Sequence, residues 1–215
     1  MYVSPDGEEG FPGELTVTVT FQLTDDNELV LNFDATTTKD TPINLTNHSY
    51  FNLAGQGTPD ISGHIVTLNA DSYLPVDENN VPTGEIASVE GTKMDLRQGV
   101  NLDERMGEVN SGRGFDNTYC VGESGKLKLV ARLEHPKTGR FIEQKTTQPS
   151  IHFYTSYYLN KCVGKGGAIY PPFCAVCFEA QHYPDSVHNE KFPSTILKVG
   201  EHYNHTTSYK FGVLK

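Results

Sequence analysis

The chain has 215 residues, with 17 Lys and Arg against 27 Asp and Glu, a formal net charge of −10 at pH 7. An acidic balance of this size argues against nucleic acid and anionic membrane surfaces as partners. No apolar run is long enough to span a bilayer, and Met1–Gly10 is acidic and polar, with neither the basic nor the apolar segment of a signal peptide. The expectation is therefore a cytoplasmic protein.

Strand signals run along the whole chain. Leu15, Val17, Val19, Phe21 and Leu23 alternate with Thr16, Thr18, Thr20 and Gln22, the period of a half-buried strand. Similar short runs cover 29–33, 65–68, 127–133, 141–147, 151–155, 176–180, 196–199 and 209–213. Turn-forming residues separate them: Thr24-Asp25-Asp26-Asn27 and Pro136-Lys137-Thr138-Gly139 read as hairpin connections, and Pro82-Thr83-Gly84 reads as a tight turn. No window keeps a helical period with caps. Many short strands with frequent turns predict an all-β sandwich or barrel, with residues 1–215 as one domain. That class alone assigns no activity.

Four cysteines occur, at 120, 162, 174 and 177. Without a secretory signal, disulfides are not expected. Cys174 and Cys177 have C-x-x-C spacing, but a zinc site of that style needs a second ligand pair, and Cys120 and Cys162 do not supply one. On a strand, residues three apart face opposite ways, so free buried or half-buried thiols are expected. The sequons at Asn44, Asn47 and Asn204 would go unused in the cytoplasm.

One segment stands out: Asn44-Leu45-Thr46-Asn47-His48-Ser49-Tyr50-Phe51-Asn52-Leu53-Ala54-Gly55. His48 is its one ionisable side chain active near neutral pH, set among small polar and aromatic groups. The segment resembles the active-site histidine region of aldose 1-epimerases (galactose mutarotases). Further stretches resemble the same family in the same order. They are residues 4–15, Tyr73-Leu74-Pro75-Val76-Asp77-Glu78, Gly114-Phe115-Asp116-Asn117, Cys177-Phe178-Glu179-Ala180-Gln181-His182-Tyr183-Pro184-Asp185 and the closing residues 200–207. The resemblance covers essentially the whole chain and the C-terminal two-thirds of a typical member.

The resemblance implies a galactose mutarotase-like β-supersandwich that lacks the N-terminal strands. It also implies that a hexose such as D-galactose or D-glucose is the substrate. Mutarotation opens a cyclic hemiacetal and recloses it on the other face of C1. Opening takes a proton from the C1 hydroxyl and gives one to the ring oxygen, so one base and one acid suffice, without metal or redox cofactor. By resemblance the base is Glu179 and the acid His48. Asp116 would accept hydrogen bonds from sugar hydroxyls, and Ser49, Tyr50 and His152 would add contacts. On a strand Cys177, Glu179 and Gln181 share one face, with Phe178 and Ala180 on the other.

Two departures qualify the match. His152 stands where the family has a Gln, and Ser156-Tyr157-Tyr158-Leu159-Asn160-Lys161 replaces its usual Gly-Asn-Phe-Leu-Asp-Gly. Family members also have a long portion ahead of the segment at which this chain begins, with an Asn-Arg pair and a further histidine that bind the sugar. The alternative to an active epimerase is therefore a catalytically impaired fragment or a non-catalytic sugar-binding relative. A relative for phosphorylated sugars ranks last, because no dense Arg/Lys cluster lies near the matched segments. Uncovered strands would expose apolar edges, so an oligomer is an expected state.

Overall fold

The computed structural model describes residues 1–214. In chain order the strands are β1 (Tyr2–Ser4), β2 (Leu15–Leu23), β3 (Glu28–Thr37), β4 (Thr41–Pro42), β5 (Ile65–Leu68), β6 (Ser72–Leu74), β7 (Ala87–Ser88) and β8 (Val100–Asn101), then β9 (Asp116–Cys120), β10 (Lys128–His135), β11 (Arg140–Thr146), β12 (Ser150–Tyr154), β13 (Cys162–Val163), β14 (Ile169–Tyr170), β15 (Cys177–Gln181), β16 (Ile196–Leu197) and β17 (Tyr203–Val213). An eight-stranded sheet runs β1-β2-β3-β17-β11-β10-β5-β8, and a five-stranded sheet runs β15-β12-β9-β6-β7. Two two-stranded ribbons, β13-β14 and β16-β4, complete the set. The expected all-β architecture is what the chain adopts.

Alternation explains the large sheet. Leu31, Phe33 and Ala35 of β3 are buried and face the same core as Ile142 of β11 and Tyr209 of β17. The smaller sheet supplies Tyr119, Ile151, Phe153, Phe178 and Ala180 to that core. Polar groups tie the layers together: the Gln144 amide and the Tyr209 hydroxyl both donate to the Phe178 carbonyl, at 2.9 and 3.0 Å. Because one face of the smaller sheet is spent on the core, the residues between these positions point the other way. They are Asp116, Thr118, His152, Tyr154, Cys177 and Glu179.

The two expected hairpins form. Thr24–Asn27 joins β2 to β3, with Asn27 in the left-handed region, and Pro136–Gly139 joins β10 to β11. The tight turn expected at Pro82–Gly84 lies earlier. Asp77 closes it, accepting from the Val81 and Asn79 amides, while Pro82 bridges to Val76 in extended backbone. The strand expected at 196–199 stops at Leu197, and those expected at 29–33 and 209–213 extend to Thr37 and back to Tyr203. One short helix, α1 (Leu102–Arg105), was not expected; Asn101 caps it by accepting from the Asp103 amide.

Candidate active site

Glu179 sits at the middle of β15. Its neighbours Phe178 and Ala180 anchor the strand in the core, so Glu179, Cys177 and Gln181 take the opposite face, as the alternation predicts. Glu179 is 8% exposed. Burial pushes its carboxyl above the usual carboxylate range, and the nearby His152 and His48 partly oppose the rise.

The His48 segment has no regular structure of its own, yet it is fastened at both ends to the chain around β15. At one end the Asn44 amide donates to the His182 carbonyl (3.1 Å) and its carbonyl oxygen accepts from the His182 amide (2.9 Å). At the other end Phe51 and Val176 exchange backbone hydrogen bonds at 2.8 and 2.9 Å. Asn52 adds a bond from its amide to the Cys174 carbonyl at 2.9 Å. The span 44–52 therefore arches over β15 and hangs His48 above it. His48 Nε2 stands 3.4 Å from Glu179 Oε1, with the imidazole half exposed.

Aromatic rings set the imidazole plane. Tyr50 stacks on His48 with centroids 5.0 Å apart and planes at 17°, and Tyr154 meets both rings edge-on. The Tyr154 hydroxyl accepts from the Tyr158 amide at 2.7 Å, and burial pushes its ionisation up to about 12. It is a hydrogen-bonding phenol across the neutral range. Ser49 is turned inward on its own loop, donating from Oγ to Asn47 Oδ1 at 2.7 Å. Its hydroxyl is thus engaged locally, whereas Tyr50 is open to solvent.

Beside this pair lies a second one. β12 runs between β15 and β9, with His152 opposite Glu179 on one side and Thr118 on the other. His152 Nε2 is 2.8 Å from Asp116 Oδ1, and Nδ1 is 2.9 Å from Thr118 Oγ1. Asp116 opens β9 rather than closing a turn on itself, and Gly114 makes that entry possible. Gly114 has φ +71°, and a Cβ there would come within 2.3 Å of Thr155 Oγ1. Phe115 then drops into the core, and Oδ1 of the buried Asn117 accepts from the Asn110 side-chain amide.

Five of the six expected residues, His48, Tyr50, Asp116, His152 and Glu179, therefore lie together on the outer side of the smaller sheet, and Ser49 flanks them. Tyr154, Thr118 and the Asn44 clamp were missed. Their roles come from partners on other strands, and only Asn44 had a signal, as the first residue of the matched segment. Among the described residues, His48, Cys177 and Glu179 also form a group of metal-type donors. Cys174 and Cys177 are both buried free thiols, not a bonded pair.

The two-layered β scaffold thus sets a histidine beside a shielded carboxylate, His48 with Glu179, and a second His–Asp pair, His152 with Asp116, alongside. The sequence model of the aldose 1-epimerase family matches residues 1–210, and the chain belongs to that family. It is 53% identical over 212 residues to the galactose mutarotase of Mus musculus, covering 98% of this chain and 61% of that protein. It is 33% identical over 214 residues to the aldose 1-epimerase of Escherichia coli K12, covering 97% of this chain and 62% of the relative. A solved aldose epimerase homologue from C. elegans superposes with a TM-score of 0.89 at 29% identity, covering all of this chain and 65% of that one. The galactose 1-epimerase of Lactobacillus acidophilus NCFM gives 0.84 at 26% identity, covering all of this chain and 62% of that one. The fold is thus galactose mutarotase-like, and the chain spans about three-fifths of the length of the curated relatives it matches.

Proposed function

We propose that this chain carries the acid–base machinery of an aldose 1-epimerase that interconverts the α and β anomers of a free hexose such as D-galactose or D-glucose. The observation that carries the reading is the approach of His48 Nε2 to within 3.4 Å of Glu179 Oε1. The two oxygens that exchange protons in a hemiacetal are both bonded to C1, so an acid and a base that serve them must stand close together, as these do.

In this reading Glu179 takes the proton of the C1 hydroxyl while His48 delivers one to the ring oxygen. The bond from C1 to the ring oxygen breaks, leaving a neutral aldehyde. Rotation about C1–C2 presents the other carbonyl face. The ring hydroxyl then returns its proton to His48 as it attacks C1, and Glu179 reprotonates the carbonyl oxygen. Each group ends as it began. Burial raises the basicity of Glu179, which suits a general base. Asp116, steadied by His152 on Oδ1, keeps its other oxygen to accept from sugar hydroxyls, and Tyr50 offers a ring face and a hydroxyl. The family relatives named galactose mutarotase support galactose as the first substrate to try.

Saturation-transfer NMR on an equilibrated galactose solution tests this directly. Exchange between the anomeric signals should rise with added protein. A second reading, a sugar-binding relative without catalysis, draws on His152, whose ring is held by Asp116 and Thr118 beside Glu179. It predicts galactose binding by calorimetry with no change in exchange.

A further inference from the structure

The proton-transfer reading uses two of three groups that converge at one point. The imidazole of His48, the carboxylate of Glu179 and the thiol of Cys177 each offer a ligand atom, and these atoms all lie within 4.8 Å of one another. The convergence follows from the fold. Cys177 and Glu179 are two residues apart on β15 and so share a face, while the loop clamped by Asn44 and Phe51 brings His48 over them.

One sulfur, one imidazole nitrogen and one carboxylate oxygen form a donor set for zinc, not for magnesium or calcium, which take oxygen ligands. The spacing agrees. Two ligands at about 2.0–2.1 Å from a tetrahedral zinc ion stand roughly 3.4 Å apart, the separation found between His48 Nε2 and Glu179 Oε1. Only the thiol has to close in. The half-exposed His48 gives an ion a way in, and three protein ligands leave the fourth position to water on the open side.

We propose that His48, Cys177 and Glu179 form a binding site for one zinc-type divalent cation. Binding exchanges the thiol proton for the metal: the Cys177 S–H bond breaks, its proton passes to solvent and sulfur joins the ion. The site then serves as an off-switch, because the cation occupies both groups that would move protons. That inhibitory consequence rests on the mutarotase reading; the binding itself does not.

Cobalt(II), a coloured stand-in for zinc, separates the two claims. Titration of the metal-free full chain should give one equivalent of tetrahedral cobalt, with a thiolate-to-cobalt charge-transfer band in the near ultraviolet and release of one proton. Zinc should bleach it. Cys177→Ser should abolish the charge-transfer band, whereas Cys162→Ser, at the exposed thiol, should keep it. Because Cys177 is fully buried, His48→Ala at its exposed position provides a variant that keeps the fold. It should weaken cobalt binding by more than the roughly tenfold to hundredfold that loss of an outer-shell partner costs. A cobalt spectrum without sulfur character, or one that persists unchanged in both variants, overturns the proposal. If cobalt binds through Cys177 but the protein does not speed anomer exchange, the metal site stands and the epimerase reading fails. If exchange is catalysed and saturating zinc leaves it unchanged, the off-switch is overturned.

Discussion

His152 places one imidazole against both halves of the site. Its strand lies between those of Asp116 and Glu179, and both ring nitrogens are engaged, one by Asp116 and one by Thr118. A hydrogen bond to a charged group is worth about 1.5–3 kcal/mol, and about 1.4 kcal/mol is a factor of ten in affinity. Replacing His152 with Ala should free the Asp116 carboxylate to swing. The KM for galactose is expected to rise at least about tenfold, with a smaller change in kcat, in coupled steady-state assays. An unchanged KM would remove Asp116 and His152 from sugar binding. At this scale the sequence was readable only through resemblance. A lone His48 or Glu179 has no distinguishing pattern, whereas the whole segments that hold them resemble the family. Thr118 and Tyr154 were unreadable because their meaning depends on partners brought beside them by strand pairing, such as His152, 34 residues beyond Thr118.

At the scale of elements, the site depends on an irregular loop held at one end by the Asn44 side chain and at the other by the Phe51 backbone. Asn44→Ala would leave the His182 amide and carbonyl without their partners while touching no reacting group. Removing such bonds costs about 1–3 kcal/mol where the groups are buried, and His182, which holds the orphaned groups, is buried. The expected outcome is a fall in melting temperature with a disproportionate loss of kcat, because the His48 loop loses its fastening at the Asn44 end. Gly114→Ala should act differently. Its φ of +71° and the 2.3 Å approach to Thr155 Oγ1 leave no room for a methyl group. Destabilisation of at least about 1–3 kcal/mol in urea unfolding is expected; a neutral result would contradict the account of how Asp116 is presented. Strands with alternating apolar residues, such as β2 and β3, were legible from the sequence. β9 was not, since Asn117, Thr118, Tyr119 and Cys120 are all buried and polar groups stand on both faces. The polar half of β17 was missed for the same reason: Tyr203, His205 and Thr207 alternate as buried positions without being aliphatic.

At the scale of the whole molecule, three buried histidines carry a pH signature. His64, His182 and His205 all have depressed basicity, chiefly from burial, and His205 is brought down to about 4. His64 is held neutral, with Nε2 accepting from the Leu53 amide and Nδ1 donating to the Ile61 carbonyl. Above pH 6.5 these groups are neutral in both states and cost nothing. As pH falls below 6.5 the unfolded chain takes up protons that the folded one refuses, so stability falls, by about 1.4 kcal/mol for each unit of displaced pKa. For His205 the loss is complete near pH 4. Melting temperatures should therefore drop steadily from pH 7 to pH 5, and a flat profile would count against neutral burial. The large sheet makes a second prediction. β1 pairs with β2 only at 15–17, and beyond that Phe21 and Leu23 are 61% and 77% exposed. An open, uncharged, apolar edge invites pairing with another chain. Concentration-dependent association in size-exclusion chromatography is expected, relieved by Phe21→Lys; a monodisperse monomer at all concentrations would contradict it.

If His48 and Glu179 move the protons of anomer exchange, polarimetry on freshly dissolved α-D-galactose will register it. The chain should speed the approach to equilibrium rotation, and Glu179→Gln, which keeps shape and removes the base, should lose about 10²–10⁴-fold of that acceleration. A Glu179→Gln variant that retains full activity would contradict the account.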